Sequence, residues 1–585
     1  MDRIQETGRE GCEGFARALK KTKRPFLKQF LYETLARVPT PRLIFTLKRL
    51  AQLPLLLTAT LIVLPVLAVL ASVLQVNGQS SQILLEMAGT VLPQYALTSV
   101  VLCLLVALGV GLLGTATACA VTLFDFPGRR FFEWALLLPL AMPAYVVAYA
   151  YTDFLQYAGP AQTALRSALG LQGRVLPEVR SLGGAVLVFV VTLYPYVYLL
   201  ARAALAERAT HLMEAARLLG APLKRRITRI ALPLARPAIA AGIALALMET
   251  LADYGVSSYF GIQTFTAGIY KAWLSMDNRI AAAQLAVCLL AIVAVLLKIE
   301  RHAQKRMRFA SGKAARAGSA DARPAPLRGR RLVVVCCVCG LPVLLGFVLP
   351  VLFMLRPLAQ GWSSLDAPLP WAAFGAWAFN SVKLASMAAL LAVGLALCMA
   401  FVARRTPNAF TLGVVNIASM GYAVPGAVIV VGLLIPVGAL QAAQPSWGVG
   451  YWVTATVLGV VWAYLVRFSA VALQSIQSGY TRVPHSLDDS ARMLGASGFA
   501  LLRRVHWPLL RRSTLVATLL VFVDVMKELP ATLVLRPFNH DTLAVMAYQL
   551  ARDERLGEAA LPCLALVAVG LVPVMLLSRS MRQKA

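Results

Sequence analysis

The chain is short of charge, and above all short of acid. Only 14% of its 585 residues are charged, with 26 acidic against 56 basic. A soluble domain carries about a quarter charged residues, so this deficit excludes an ordinary water-facing surface. Histidine is scarce as well, and the five present are too far apart for any ligand spacing. Cysteines occur, but without a second Cys or His pair at zinc spacing. Their one cluster, Cys336, Cys337 and Cys339, lies in an apolar run and reads as packing, so no metal site is assigned. A phosphate-binding G-x-x-x-x-G-K-[ST] loop is also missing, since Gly312-Lys313 lacks the upstream glycine and the following hydroxyl. The chain is therefore expected to bind no nucleotide or other cofactor and to be no enzyme. No cleavable signal peptide is visible, because Lys20, Lys21, Lys23, Arg24 and Lys28 precede the first apolar block.

What fills the chain instead is apolar. Hydrophobic residues make up 59% and come in blocks of 18 to 28, long enough to cross a bilayer as helices. Lipid leaves no other option for such blocks, because an open sheet or loop would strand backbone polar groups. The net charge of +30 sits in the loops between blocks, as membrane topology requires. No aromatic-interleaved basic face points to nucleic acid.

Twelve spans are expected: 53–76, 95–123, 131–155, 182–205, 237–260 and 280–299, then 332–356, 376–403, 409–436, 448–473, 512–536 and 558–578. Loops 77–94 and 437–447 contain no Lys or Arg and fall outside; 206–236 and 474–511 are basic and fall inside. Both termini are then cytoplasmic. The expected order is a basic segment 1–50, a six-span half 51–300, a linker 301–331 and a second half 332–585. The linker holds ten Lys or Arg against one acid, with much Ala, Gly and Pro; such a composition cannot bury a core and predicts disorder.

The halves are repeats. Glu214 to Arg236 aligns without a gap onto Asp489 to Arg511, with nine of 23 positions identical. A weaker match joins Thr98-Ser99 to Asn380-Ser381, and Pro143 to Pro425. Two parallel halves of this kind imply a pseudo-two-fold axis along the membrane normal. The aligned loops predict helix, glycine turn, short helix and proline break. Glu214 or Asp489 suits a helix N-terminus, Gly220 or Gly495 a left-handed turn, and Pro233 or Pro508 a break before the next span. A short helix pair at the cytoplasmic surface can fill a groove on another protein.

After each loop the next span carries two acids, Glu249 and Asp253 in the first half, Asp524 and Glu528 in the second. An offset of 275 superposes the pairs. Spacing of i, i+4 puts each pair on one helical face, and Glu249 lies ~18 Å into its span. Each acid facing lipid would cost roughly 2.5–3.5 kcal/mol, so the four are expected to face protein or a water-filled path. A translocation path or gate and a structural pairing with Lys527 remain alternative readings. Tyr254 is a candidate to close a narrow gate.

The first loop fits a known pattern: Glu214, Ala215, Ala216, Gly220, Ile230, Leu232 and Pro233 match the Glu-Ala-Ala…Gly…Ile-x-Leu-Pro signature of binding-protein-dependent ABC import permeases. The second departs from it, with Asp489 for Glu, Ser490 for Ala, Val505 for Ile and Trp507 for Leu, but keeps Ala491, Gly495 and Pro508. The chain thus resembles type I ABC importer permeases: all-α, polytopic, twelve transmembrane helices in two parallel six-helix repeats. The resemblance implies that the loops couple to two ATP-binding-cassette ATPase subunits, as a homodimer, which hold ATP and Mg. It also implies an extracytoplasmic solute-binding protein and a place in the cytoplasmic (inner) membrane, among lipid. The stretches METLADYGVSSYFG and FVDVMKELPATLVLRPFNHDTLA resemble fused ferric-iron permeases, with thiamine permeases as the nearest competitor. A major-facilitator-type secondary transporter shares the six-plus-six plan, but has no use for a duplicated ATPase dock.

Overall fold

The computed structural model describes residues 59–72, 78–206, 215–314, 325–363, 370–496 and 498–582. All of them belong to the unit Thr58–Ala585. The basic segment 1–50, Glu214 and linker residues 315–324 lie outside the described residues.

Nine helices among the described residues are long and apolar enough to cross a membrane: Leu92–Leu123, Leu182–Ala204, Leu223–Ala252, Arg279–Ala303, Arg330–Gln360, Trp371–Arg405, Gly426–Ala443, Leu458–Tyr480 and Leu556–Leu576. Three further expected spans are also helical, though short, bent or, in the last, more charged. Ala59–Ser72 is a short apolar helix, Arg129–Ala141 and Ala144–Leu169 form a pair bent by 88°, and Trp507–Met526 completes the set. Strand is confined, among the described residues, to a two-residue parallel ladder pairing Phe124–Asp125 with Ala325–Pro326. The architecture is the expected all-α polytopic one.

Several expected spans are broken, and the breaks have local causes. Residues 131–155 do not form one helix. The chain turns at Met142, which is extended (φ −104°, ψ 121°) before Pro143, because a proline disfavours helical backbone in the residue preceding it. The equivalent break divides 409–436: Val424 is extended before Pro425, and Gly426–Ala443 follows. The span expected at 237–260 stops at Ala252, and the one at 512–536 stops at Met526. Pro233 and Pro508 do not break their helices, contrary to expectation. Each follows a five-residue π-turn, Ile227–Ala231 or Leu502–His506, and the helix runs on. The widened turn accommodates a residue without an N–H, so the helix survives its proline.

The described parts of the linker, 301–314 and 325–331, are more ordered than its composition implies. The helix from Arg279 continues to Ala314, and Leu327 N–H donates to the Asp125 carbonyl at 3.0 Å.

The opening helix of each half packs on the other half. Trp462 Nε1 donates to the Leu61 carbonyl at 2.8 Å. In the reverse direction, Tyr151 Oη donates to Leu345 at 2.7 Å, and the Phe154 and Phe353 rings stack at 3.8 Å. This exchange locks the halves around a shared interior.

Candidate functional site

Four helix breaks meet in that interior and line a cavity of about 180 Å³. Leu140, Met142 and Pro143 come from the bent pair, and Tyr422 from the matching break of the second half. Glu249, Asp253, Asp524, Lys527 and Glu528 come from the two helix ends that follow the repeated loops. Irregular backbone at membrane depth is tolerated where it is buried in protein or lines a cavity, and here side chains satisfy it. Lys527 Nζ donates to the Leu140 carbonyl at 3.0 Å, and Tyr145 Oη to the Lys527 carbonyl at 3.3 Å.

The four acids do not behave as two helical pairs. Glu249 and Asp524 lie on the helices, but Asp253 and Glu528 lie just past their ends. Asp253 Oδ1 accepts from Val256 N–H at 2.8 Å, and so caps the short helix Gly255–Tyr259. Glu528 does the same for Pro530–Leu535, accepting from Ala531 N–H at 2.9 Å, Thr532 N–H at 3.0 Å and Thr532 Oγ1 at 2.6 Å. A carboxylate at a helix start satisfies otherwise orphaned amides.

Arg467 is the cation that sequence reasoning missed. It sits between the halves, with Nη2 3.9 Å from Glu249 and Nη1 3.6 Å from Glu528. The span expected at 448–473 placed it near a cytoplasmic end, where arginine is ordinary. The helix is Leu458–Tyr480 instead, so Arg467 falls mid-helix. Lys527, the partner expected for the acids, donates to the Leu140 carbonyl while its charge acts on Asp524. Among the described residues no three His, Cys, Asp or Glu side chains converge as metal ligands.

Tyr254 is buried at the edge of this cavity. Its ring lies 4.2 Å from Tyr270 and 5.8 Å from Tyr548, and Tyr270 Oη donates to the Pro530 carbonyl at 2.6 Å. These three tyrosines line a second cavity of about 450 Å³, together with Arg180, Lys271 and Arg552. Asp253 and Gly255, which flank Tyr254, line the first cavity, so the tyrosine cluster adjoins both, beyond the end of Leu232–Ala252 opposite its repeated loop.

Those loops present matching surfaces. Gly220 and Gly495 both take left-handed backbone, φ +76° and +84°. Immediately before them stand bare apolar pairs: Leu218 and Leu219 are 84% and 87% exposed, Met493 and Leu494 91% and 89%. Ala215 and Ala216 precede the first pair in a helical turn; Ile230 lies within the π-turn that follows, and Leu232 and Pro233 come directly after it. Val505 and Pro508 hold the same places in the second loop. Asp489 is not at a helix N-terminus: the helix is His485–Met493, so the first-turn acid is Asp488. Pro484 opens that helix, ahead of where the repeat begins.

Asp488 anchors the second loop. Arg404 Nε donates to it at 2.7 Å and His506 Nε2 lies 3.0 Å away, while Tyr480 Oη meets His506 Nδ1 at 3.1 Å. Burial pushes the Asp488 carboxyl up, but the Arg404 and His506 hydrogen bonds outweigh it and hold the group below its ordinary range. At the repeat offset the first half has Met213, Ala231 and Leu205 in place of Asp488, His506 and Tyr480, so it lacks the groups for this tie. Asp488→Asn leaves Arg404 buried without its counter-charge, at an expected cost of about 3–5 kcal/mol. The readout is the melting temperature of the purified protein; an unchanged value would mean that the tie contributes nothing.

Residues 110–309 match the family described as binding-protein-dependent transport system inner membrane component. The chain is 26% identical over 482 residues to the Fe(3+)-transport system permease protein FbpB 2 of Haemophilus influenzae, covering 81% of this chain and 88% of that one. It is 23% identical over 457 residues to the probable ABC transporter permease protein y4fN of Sinorhizobium fredii, covering 75% and 78%. A third relative is the putative 2-aminoethylphosphonate transport system permease protein PhnU of Salmonella paratyphi A, 27% identical over 256 residues, covering 42% of this chain and 86% of that one.

Proposed function

We propose that this chain, an inner-membrane permease subunit of a binding-protein-dependent ABC importer, carries ferric iron. One observation carries the cargo assignment: four carboxylates against Arg467 and Lys527 around a cavity between the halves. Carboxylates are hard oxygen ligands suited to a hard trivalent cation. They need not form a resident site, because conduction requires binding weak enough to release. The relative named for Fe(3+) transport, which aligns with most of the chain, supports the same cargo. Halves 51–300 and 332–585, joined by the linker 301–331, rock about the shared cavity, and the Tyr254 cluster gates it from the second cavity.

ATP hydrolysis belongs to a separate subunit. The exposed pairs before Gly220 and Gly495 are the docking points for two such ATPases, a homodimer in this reading. A solute-binding protein delivers cargo from the other face. The loops and both termini then face the cytoplasm. A single cysteine at Ser311, in a background without other reactive thiols, is expected to resist an impermeant thiol reagent in intact cells; ready labelling would invert this topology.

A second reading has a specific basis. Arg467 and Lys527 beside acids would also suit a zwitterion such as 2-aminoethylphosphonate, the cargo in the name of the PhnU relative. Stimulation of the assembled permease–ATPase complex by loaded binding protein separates the cargoes. Ferric-loaded protein is expected to raise ATP hydrolysis above the unloaded form; stimulation only by a thiamine- or phosphonate-loaded protein would overturn the iron assignment.

A further inference from the structure

We propose that Arg467 is a tethered cation: it occupies the acid-lined cavity in place of a free ion, and a cationic cargo must displace it. This rests on the ferric-iron reading of the same cavity.

The seat of Arg467 is electrostatic and loose. Its guanidinium bridges Glu249 of the first half and Glu528 of the second at 3.9 and 3.6 Å, beyond hydrogen-bond length. Its side chain is only 10% exposed, yet Nε is buried with no hydrogen-bond partner. A buried donor left unmade is costly, so this position neutralises charge without fully satisfying the group. Glu528 cannot be the moving partner, because three donors fix both of its oxygens. Lys527 is fixed as well, through the Leu140 carbonyl. The freedom to move therefore lies with Arg467.

The device is single. At the repeat offset of 275 the first half has Thr192, whose hydroxyl is spent on its own helix, donating to the Val188 carbonyl at 2.7 Å. One guanidinium thus serves both halves. With it in place, a stray cation meets an occupied cavity. Without it, the carboxylates hold a trivalent ion too tightly to release, and passage slows.

Terbium is a suitable probe, being a hard trivalent ion whose emission is sensitised by nearby tyrosine. Tyr145, Tyr196 and Tyr422 line the cavity. Titration of the full-length permease–ATPase complex with Tb³⁺ alone is expected to give weak sensitised emission in the unaltered protein. Arg467→Gln should tighten binding by at least about tenfold, since removing one unit charge some 4 Å away is worth more than that even at an effective dielectric of ~20. Arg467→Lys, which keeps the charge, should stay near the unaltered protein. The double variant Arg467→Gln with Glu249→Gln restores the formal charge and avoids stranding an acid if the single variant folds poorly. It should still bind Tb³⁺ more tightly than the unaltered protein, because the tether is gone. Binding as weak as in the unaltered protein would overturn the proposal and leave only a net-charge effect. The titration needs neither iron uptake nor a binding protein, so the cargo assignment can fail while the tether stands, and the reverse.

Discussion

Gly220→Val and Gly495→Val are each expected to abolish transport while leaving the chain in the membrane in normal amount. Both glycines hold left-handed backbone, where a β-branched residue is strained by about 1–3 kcal/mol. An added Cβ would meet nothing within 4 Å at either position. The penalty is therefore conformational, not steric, and falls on the direction of the exposed apolar pair beside each glycine. Asparagine tolerates this backbone far better, so Gly220→Asn and Gly495→Asn should retain much of the uptake that valine removes. The first loop should be the more sensitive. It fits the family pattern better, and it lacks the Asp488–His506 tie that steadies the second. Normal uptake with valine at either position would remove the mechanical role assigned to that loop.

Neutralising the acids is expected to separate two roles. Glu249→Gln and Asp524→Asn should cut iron uptake at least about tenfold, equivalent to ~1.4 kcal/mol in the barrier, with the amount of folded permease preserved. Both residues lie on helices facing the cavity, and neither caps one. Glu528→Gln should behave differently. Its oxygens accept from two amides and a hydroxyl, and a side-chain amide turns one acceptor into a donor. Unmade buried hydrogen bonds cost ~1–3 kcal/mol each, so this variant should mainly lower the folded amount. Asp253→Asn keeps its acceptor for Val256 and should fold. Loss of folded protein in all four variants would reduce the acids to structural parts.

Much of this was legible in the sequence because membrane physics is strict. Apolar length, basic loops and a gapless repeat from Glu214 to Arg236 are enough to predict helical halves in parallel. The glycine turns were legible too, since φ near +80° is one of few reasons to punctuate a helix with glycine. The breaks were less so. Apolar blocks spanning Pro143, Pro425 and the acid stretches have the composition of continuous spans, and hydropathy does not register a chain that turns inside the bilayer. Arg467 was hidden by the same effect: a seven-residue error in where a helix ends moves an arginine from the membrane edge to its middle. Asp253 and Glu528 stand four residues after Glu249 and Asp524, yet act as caps, because their helices end eight and ten residues before the expected spans do. The Asp488–Arg404–His506 tie joins residues up to 102 positions apart in sequence, and no local pattern announces it.

The most direct measurement is uptake of radiolabelled ferric iron into proteoliposomes holding the permease and its ATPase, with cargo supplied on the binding protein. The account predicts accumulation that requires ATP and loaded binding protein, fails with free ferric iron in bulk solution, and falls in Glu249→Gln. Accumulation of thiamine or 2-aminoethylphosphonate without iron would contradict it.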